Sequence, residues 1–373
     1  MSSQLLPGRT LRLLQLLAAA HALSVGATRT VTLRLLPLLT AAHALSVGTT
    51  RTVTFEKQRY DTTITDGDAS LPPLVLIPPV GVGIDRAFWV KFQRVWDGGA
   101  ATHAPDLLGT GTAAPKPRKF YGPEVWARQL DAYVRDEVGR PCTLVVQGGL
   151  LPCALEMWRL GGRDTIAGVS LLSPPPLRFV CDDADEPWMA KKAGAPPPGP
   201  PTPRASRRIQ RLAWALSASP AGNLFFRRLR GKRGARIRAF TDKNLFAGEC
   251  DDAWVDQCVA AARDSRGRFA TLAYLCGTIP GGGAWRDDRG AVLDALDAPT
   301  QIIRGDFPGA FDPANRTAAA LARLPRPADS FVVPGARACL PYEQPELTAA
   351  ALRHFVAGGD PPAALTLVAA PAR

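Results

Sequence analysis

The sequence predicts an α/β protein with a mostly parallel sheet, flanking helices and an inserted helical cap. Short apolar runs alternate with amphipathic segments of about 3.6-residue period over residues 54–177, and this alternation resumes over residues 299–358. Strands and helices in alternation form a parallel sheet that is covered on both faces. Residues 178–298 between these parts hold a Pro-rich linker and helical segments, which favours a cap over the sheet edge where ligands of open α/β sheets bind.

Each element of the first part has a local signal. Strands are predicted where β-branched or apolar runs lie between Pro and Gly, as Leu74–Ile77 does. Helices are predicted where apolar residues recur at helical spacing, as Trp126, Leu130 and Val134 do after Pro123. In chain order the predicted elements are a hairpin at 54–65, strands at 74–77, 101–105, 143–146 and 166–172, and helices at 85–96, 124–138 and 150–160.

The second part completes the same pattern after the insertion. The cap is predicted to contain helices at 207–216, 222–229, 236–246 and 251–275. Strands at 300–304 and 330–333 and helices at 313–324 and 345–356 then extend the sheet and its cover. Residues 359–373 are predicted to be a C-terminal tail.

Length and composition are those of a globular protein. The chain has 373 residues, of which 46% are hydrophobic and 21% are charged, so it can bury a sizeable core. Its seven cysteines are too sparse for a disulfide framework, and they lack the CxxC or paired histidine spacing that binds zinc. No apolar run reaches the length of about 18 residues that a membrane span needs. We expect no metal and no other cofactor.

The N-terminus reads as a targeting leader. Residues 1–54 contain no acidic residue and five arginines, and Thr10–Val31 and Thr32–Val53 are two copies of one 22-residue unit. Each copy has a cationic start, a Leu-rich run and an Ala-His-Ala site, with candidate cleavage after Ala22 or Ala44. A duplicated exon or a gene-model error is the alternative explanation of the repeat. Residues 1–50 are therefore excluded from the fold.

Four short motifs in the body have a familiar order. They are LVLIPPVG at 74–81, PDLLGTG at 105–111, the late strand at 299–306 and VPGARACLPYEQPE at 333–346. Together with the cap they resemble the α/β-hydrolase superfamily over residues 54–358. The variants IPPVGVG and VVQGGLLP are similar to the α/β-hydrolase-like proteins of cyanobacteria and plastids, which have a degenerate nucleophile elbow. The resemblance implies an α/β-hydrolase fold with its site at the carboxyl ends of the strands.

The resemblance also implies positions for a catalytic triad, and these carry no catalytic groups. The nucleophile of this superfamily lies at the centre of Gly-x-Ser-x-Gly, on a strained turn between strand and helix. In VVQGGL that position falls on Gly148, the acid position falls on Pro308, and the histidine position falls on Ala338. We therefore predict no catalytic residues at these three positions.

The oxyanion hole implied by the same resemblance remains in place. The backbone N–H groups of Val80 and Gly149 take its positions, and the helix that begins near Leu150 adds its positive end. We predict that Val80, Gly81, Gly148, Gly149 and Leu150 bind a ligand. The alternative is that the glycine pair only permits a tight turn and close packing.

Three functions fit these residues. The leading prediction is a non-catalytic protein that binds a small apolar or lipid-like ligand, or a protein partner, between sheet and cap. The second is an active esterase, lipase or lyase that uses displaced groups, and the third is a scaffold without a cavity. The displaced groups available for the second are Asp306, Asp312, Cys153, His103 and His354.

A basic cluster in the predicted cap indicates a surface partner. It lies beside Leu224–Phe226 and comprises Arg227, Arg228, Arg230, Lys232, Arg233, Arg236 and Arg238. The pattern suits contact with an anionic membrane surface, and a solvated Arg-rich face is the alternative. Nucleic-acid binding is not expected, because the sequence has no aromatic platform, Gly-rich clamp or reading helix.

The leader predicts delivery to a plastid through a secretory-type signal. The secretory pathway or secretion is the alternative destination. A fluorescent protein fused behind residues 1–50 should enter the secretory route and accumulate in the plastid, as imaging would show. Cytosolic fluorescence, or a mature protein that begins at Ser2, would contradict this prediction.

Overall fold

The computed structural model describes residues 48–111, 116–174, 211–212, 214–278, 289–306 and 313–370. The leader up to residue 47, the Pro-rich linker, Pro308 and Asp312 lie outside this part of the chain. The described strands are β1 (Thr49–Phe55), β2 (Gln58–Thr65), β3 (Leu74–Ile77), β4 (Thr102–Pro105), β5 (Cys142–Gln147), β6 (Ile166–Leu172), β7 (Thr300–Gly305), β8 (Ser330–Val333) and β9 (Thr366–Val368).

These strands form one mixed sheet in the order β1-β2-β4-β3-β5-β6-β7-β8-β9. The run from β4 to β8 is parallel, whereas β1, β2 and β9 are antiparallel to their neighbours. Every residue of β3 and β5 is buried, as expected for strands covered on both faces. The predicted class, a mostly parallel sheet flanked by helices, is confirmed.

Residues 211–212 and 214–218 are helical, and eleven further α-helices of the described chain have defined bounds. They are α1 (Val90–Val95), α2 (Pro123–Tyr133), α3 (Leu151–Gly161), α4 (Pro220–Arg230), α5 (Ala235–Asn244), α6 (Asp252–Ala261), α7 (Arg268–Thr278), α8 (Arg289–Asp294), α9 (Pro313–Leu321), α10 (Leu340–Glu343) and α11 (Pro345–Ala357). The helices α4 to α8 lie in the chain between β6 and β7. None of the described helices is both long and apolar enough to cross a membrane.

The core lies on both sides of the sheet. Val75 and Ile77 of β3 pack in one apolar cluster with residues of α2 and α3. Leu74 and Leu76 of the same strand pack in a second cluster with residues of α1 and α11. Successive side chains of a strand point to opposite faces, so one short strand joins both halves of the core.

Both ends of the sheet extend beyond the predicted elements. The opening hairpin begins at Thr49, not at residue 54, because the Thr- and Val-rich end of the second repeat pairs with β2. Its two-residue turn places Glu56 and Lys57 at φ values of 46° and 64°. The predicted tail contains β9, a run too short to signal a strand by itself, which pairs with β8.

The single helix predicted at 251–275 is two helices. The α-helix α6 ends at Ala261, and α7 begins at Arg268 after a short turn. The Asp264 side chain caps that turn by accepting a hydrogen bond from the Arg266 N–H at 2.9 Å. The polar run RDSRGR at 263–268 interrupts the apolar spacing at the break, and the prediction of one helix overlooked this signal.

Candidate functional site

The loop after β8, residues 334–339, crosses the carboxyl ends of neighbouring strands. Beyond β7, the Asp306 Oδ1 atom accepts a hydrogen bond from the Gly335 N–H at 3.0 Å. Beyond β6, the Ser173 hydroxyl donates to the Arg337 carbonyl at 3.4 Å. The loop therefore runs back along the sheet edge toward β5.

Gly148 and Ala338 are brought together at this edge. Gln147, the last residue of β5, is buried, and its Nε2 donates a hydrogen bond to the Ala338 carbonyl. The Ala338 N–H in turn donates to the Leu245 carbonyl of the cap at 3.0 Å. The nucleophile and histidine positions implied by the resemblance are thus neighbours, while Pro308 lies outside the described residues.

Gly148 adopts the backbone conformation of a sharp strand-to-helix turn. Its φ is +60°, in the left-handed region that favours glycine. A Cβ atom added to Gly148 would have no heavy atom of the described residues within 4 Å. The described structure therefore leaves an open space where a side chain at position 148 would lie.

The cap helix α7 rests on both loops that frame this space. The Tyr274 hydroxyl donates to the Gly149 carbonyl at 2.6 Å, and the Thr271 hydroxyl donates to the Gly81 carbonyl at 3.1 Å. The Tyr274 ring also packs against Trp126, with ring centroids 5.8 Å apart. One turn of α7 thus bridges the two loops.

The other residues that were predicted to bind a ligand differ in their exposure. Val80 and Gly81 follow β3 and are half-buried, and Val80 packs against the core. Leu150 is fully buried beneath the turn. The surroundings of Gly148 therefore combine apolar side chains with backbone groups.

His103 lies far from the turn, inside the sheet. It is in register with Val75, and Val75 is in register with Leu144. Leu144 precedes Gly148 by four residues, or about 13 Å along a strand. The Nδ1 atom of His103 lies 2.9 Å from the Tyr133 hydroxyl oxygen, and burial lowers the pKa of His103 to about 4. His103 is a neutral residue of the core at neutral pH.

His354 lies away from the turn, and Cys153 is buried in the first turn of α3. The Nε2 atom of His354 is 3.6 Å from Asp329, which precedes β8 and so marks the edge opposite to Ala338. Cys153 is fully buried in the core, and this burial raises the pKa of its thiol. A thiol with a raised pKa carries little thiolate at neutral pH, which makes it a poor nucleophile.

Sequence reasoning missed Glu343, which holds the loop around Ala338. Its carboxylate accepts hydrogen bonds from the backbone N–H groups of Ala247, Arg337 and Cys339. Burial raises the pKa of Glu343, although these N–H groups oppose the shift. This one side chain ties the loop after β8 to the cap. Its partners are backbone groups, which leave no motif in the sequence.

A buried ion cluster fixes the loop after β3 to the loop after β4. The Arg86 guanidinium lies 2.6 Å from Asp106 Oδ2, and the Arg86 N–H donates to Asp106 Oδ1 at 2.8 Å. Burial and the nearby Asp85 carboxylate raise the pKa of Asp106 to about 7, while Arg86 opposes this shift. A Cβ on Gly111 would lie 2.3 Å from Asp106 Oδ2, which explains the last glycine of PDLLGTG.

The described residues contain no group of three or more His, Cys, Asp or Glu side chains able to hold a metal ion. Five cysteines in this part of the chain are free and buried: Cys142, Cys153, Cys250, Cys258 and Cys339.

Solved structures of several enzymes are similar to this chain. A thermophilic esterase from Thermogutta terrifontis has 20% sequence identity and a TM-score of 0.52, covering 83% of this chain and 98% of its own. A loop variant of a haloalkane dehalogenase from Bradyrhizobium elkanii has 18% identity and a TM-score of 0.59, covering 83% and 96%. A bacterial membrane phospholipase A has 18% identity and a TM-score of 0.58, covering 92% and 97%.

These similarities show the fold. No protein-family model matches the sequence, and no curated protein sequence matches it either. The structural neighbours share the α/β-hydrolase fold, and this chain has that fold as well.

The contact between α7 and the turn predicts different costs for two neighbouring substitutions. Gly148→Ala should lower the free energy of unfolding by about 1 kcal/mol, because only its positive φ opposes a side chain. Gly149→Ala should cost about 2–3 kcal/mol, because its Cβ would lie 2.3 Å from the Tyr274 hydroxyl oxygen. Urea unfolding measures both values.

Tyr274→Phe provides the control for this comparison. It removes the hydroxyl and leaves the nearest ring carbon 3.6 Å from the added Cβ, an ordinary contact distance. In that background Gly149→Ala should cost about 1 kcal/mol less than in the wild type. Equal costs in the two backgrounds would contradict the placement of Tyr274 over Gly149.

Proposed function

We propose that this α/β-hydrolase-fold protein lacks a catalytic triad and binds a small apolar or lipid-like ligand between the sheet and the cap. The observation that carries the proposal is the turn at Gly148, which keeps an elbow-like backbone and an adjoining space but has no side chain. The two loops around this space are held by hydroxyl groups of the cap helix α7.

The chemistry of acyl transfer argues against hydrolysis at this turn. A serine or cysteine nucleophile needs a general base, and that base is usually an imidazole held within hydrogen-bond reach. Gly148 offers no nucleophile, and Ala338 beside Gln147 offers no base. The two histidines of the described chain, His103 and His354, lie inside the sheet and at its opposite edge.

The surroundings of Gly148 indicate the class of ligand. Val80 and the ring of Tyr274 supply apolar surface around the turn. The backbone N–H groups at the start of α3 carry partial positive charge, which favours a carboxylate or carbonyl oxygen. A ligand with an apolar chain and one oxygen-bearing end, such as a fatty acid, satisfies both features.

The finer resemblance and the leader add a location to this proposal. The VVQGGL elbow is similar to that of plastid and cyanobacterial hydrolase-like proteins, and the leader suits a plastid reached through the secretory route. We place the protein in a plastid on these two grounds.

Filling the space beside Gly148 should abolish ligand binding. The probe is cis-parinaric acid, a fluorescent fatty acid, titrated against purified protein. Gly148→Leu should remove the fluorescence gain that the wild type shows, because the new side chain takes the ligand's place. The matched control is Gly139→Leu, since Gly139 has a φ of +73° and no described heavy atom within 4 Å of an added Cβ. This control should bind like the wild type.

Three outcomes would contradict the proposal. Equal binding by Gly148→Leu and Gly139→Leu would place the ligand elsewhere. Labelling of the wild type by a fluorophosphonate serine-hydrolase probe, lost on one serine substitution, would identify an active hydrolase. Ester turnover that disappears in Cys153→Ala or His103→Ala would do the same.

A further inference from the structure

We infer that the cap carries a second site, a cationic pocket that docks the protein onto an anionic phospholipid surface. The pocket has a volume of about 610 Å³ and contains no acidic residue in its lining. Its lining consists of Arg227, Arg228, Arg230, Gly231, Lys232, Arg233, Arg236, Val259 and Arg263. This inference does not depend on a ligand at Gly148.

The local backbone explains why so many cations converge. Helix α4 ends at Arg230 and α5 begins at Ala235, so the last turn of one and the first turn of the other meet across a short connection. Gly234 in that connection has a φ of +78°, and a Cβ there would lie 2.5 Å from Val255 of α6. The connection is therefore packed onto α6, whose C-terminal side supplies Arg263.

Most of the cations around the pocket have no counter-ion in the part of the chain that the structure describes. Within the described residues, no ion pair and no side-chain hydrogen bond involves Arg227, Arg228, Lys232, Arg233, Arg236 or Arg263. By contrast, Arg238, next to the pocket, forms an ion pair with Asp252. Exposed arginines elsewhere also have acidic partners, as Arg163 has in Asp297. Unpaired like charges around one concavity attract anions strongly.

An apolar helix face adjoins the pocket. Leu224 is 67% exposed and Phe225 is 53% exposed, whereas Phe226 between them and the arginines is 2% exposed and packs inward. Leu224 and Arg228 are four residues apart on α4 and so share one face. Exposed Leu and Phe next to Arg on a short amphipathic helix are typical of segments that lie in a membrane interface.

This combination favours a lipid surface over the other polyanions. Phosphate groups of lipids would enter the cationic pocket while Leu224 and Phe225 enter the acyl boundary. A nucleic acid or a soluble polyphosphate would satisfy the charges but leave both apolar side chains exposed to water. The protein would therefore bind with the face of α4 that carries Leu224 and Phe225 turned toward the membrane.

Vesicle sedimentation with the full chain tests the charge component. The protein should bind vesicles of phosphatidylcholine with phosphatidylglycerol and not vesicles of phosphatidylcholine alone. Each basic residue near an anionic surface strengthens binding about fivefold, so removing four should weaken binding at least about 100-fold. The four substitutions are Arg227→Gln, Arg228→Gln, Arg233→Gln and Arg236→Gln.

A second set of arginines controls for net charge. It removes the same number of charges from exposed, ion-paired positions outside the pocket. These substitutions are Arg128→Gln, Arg135→Gln, Arg163→Gln and Arg353→Gln. Binding by this control should fall less than about fivefold. Equal losses in the two sets would overturn the inference, because they would show attraction by overall charge alone.

The apolar component has its own test. Leu224→Ala with Phe225→Ala should weaken vesicle binding about tenfold or more, whereas Leu160→Ala with Leu367→Ala, at exposed sites elsewhere, should leave it unchanged. Three further results would overturn the inference: no binding of the wild type to the anionic vesicles, no effect of Leu224→Ala with Phe225→Ala, or tighter binding to duplex DNA or inositol hexakisphosphate than to vesicles.

Discussion

The site depends on the sharp turn that follows the central strand β5. That strand is buried along its whole length, and the chain must leave it and enter α3 within a few residues. A left-handed residue makes this possible, and here it is Gly148 with a φ of +60°. In an active hydrolase the same geometry presents a nucleophile. In this chain the residue at the turn has no side chain, and an open space adjoins its backbone.

Polar contacts to backbone groups then hold the surroundings of the turn in place. Tyr274 and Thr271 fasten the cap helix α7 to the loops on either side, and Glu343 fastens the loop around Ala338. Buried carbonyl and N–H groups need partners, so these contacts satisfy the loops while they position the cap. The cap is thus tied to the sheet edge from two directions, through Glu343 and through α7. The cationic pocket belongs to a separate part of the cap, where most of the charges have no partner among the described residues.

The sequence predicts the fold well because alternating elements are a local property. Leu74–Ile77 and the helix after Pro123 were predictable from burial pattern and helical spacing, whereas the elbow position at Gly148 is a prediction that rests on the resemblance. The strand β9 was not predictable, since pairing with β8 decides it. The break between α6 and α7 was missed, although the polar run at 263–268 marks it in the sequence. Tyr274 and Glu343 were also missed, because each acts on backbone atoms that are distant in the sequence.

Rebuilding the triad tests the central claim most directly. The claim is that Gly148, Pro308 and Ala338 occupy the places of a nucleophile, an acid and a base in an otherwise retained geometry. Labelling by a fluorophosphonate probe is measured for the wild type, for Gly148→Ser, and for the triple variant with Pro308→Asp and Ala338→His. The account predicts labelling of the triple variant alone, because a serine without a base stays protonated. Labelling of the wild type, or equal labelling of the single and triple variants, would contradict it.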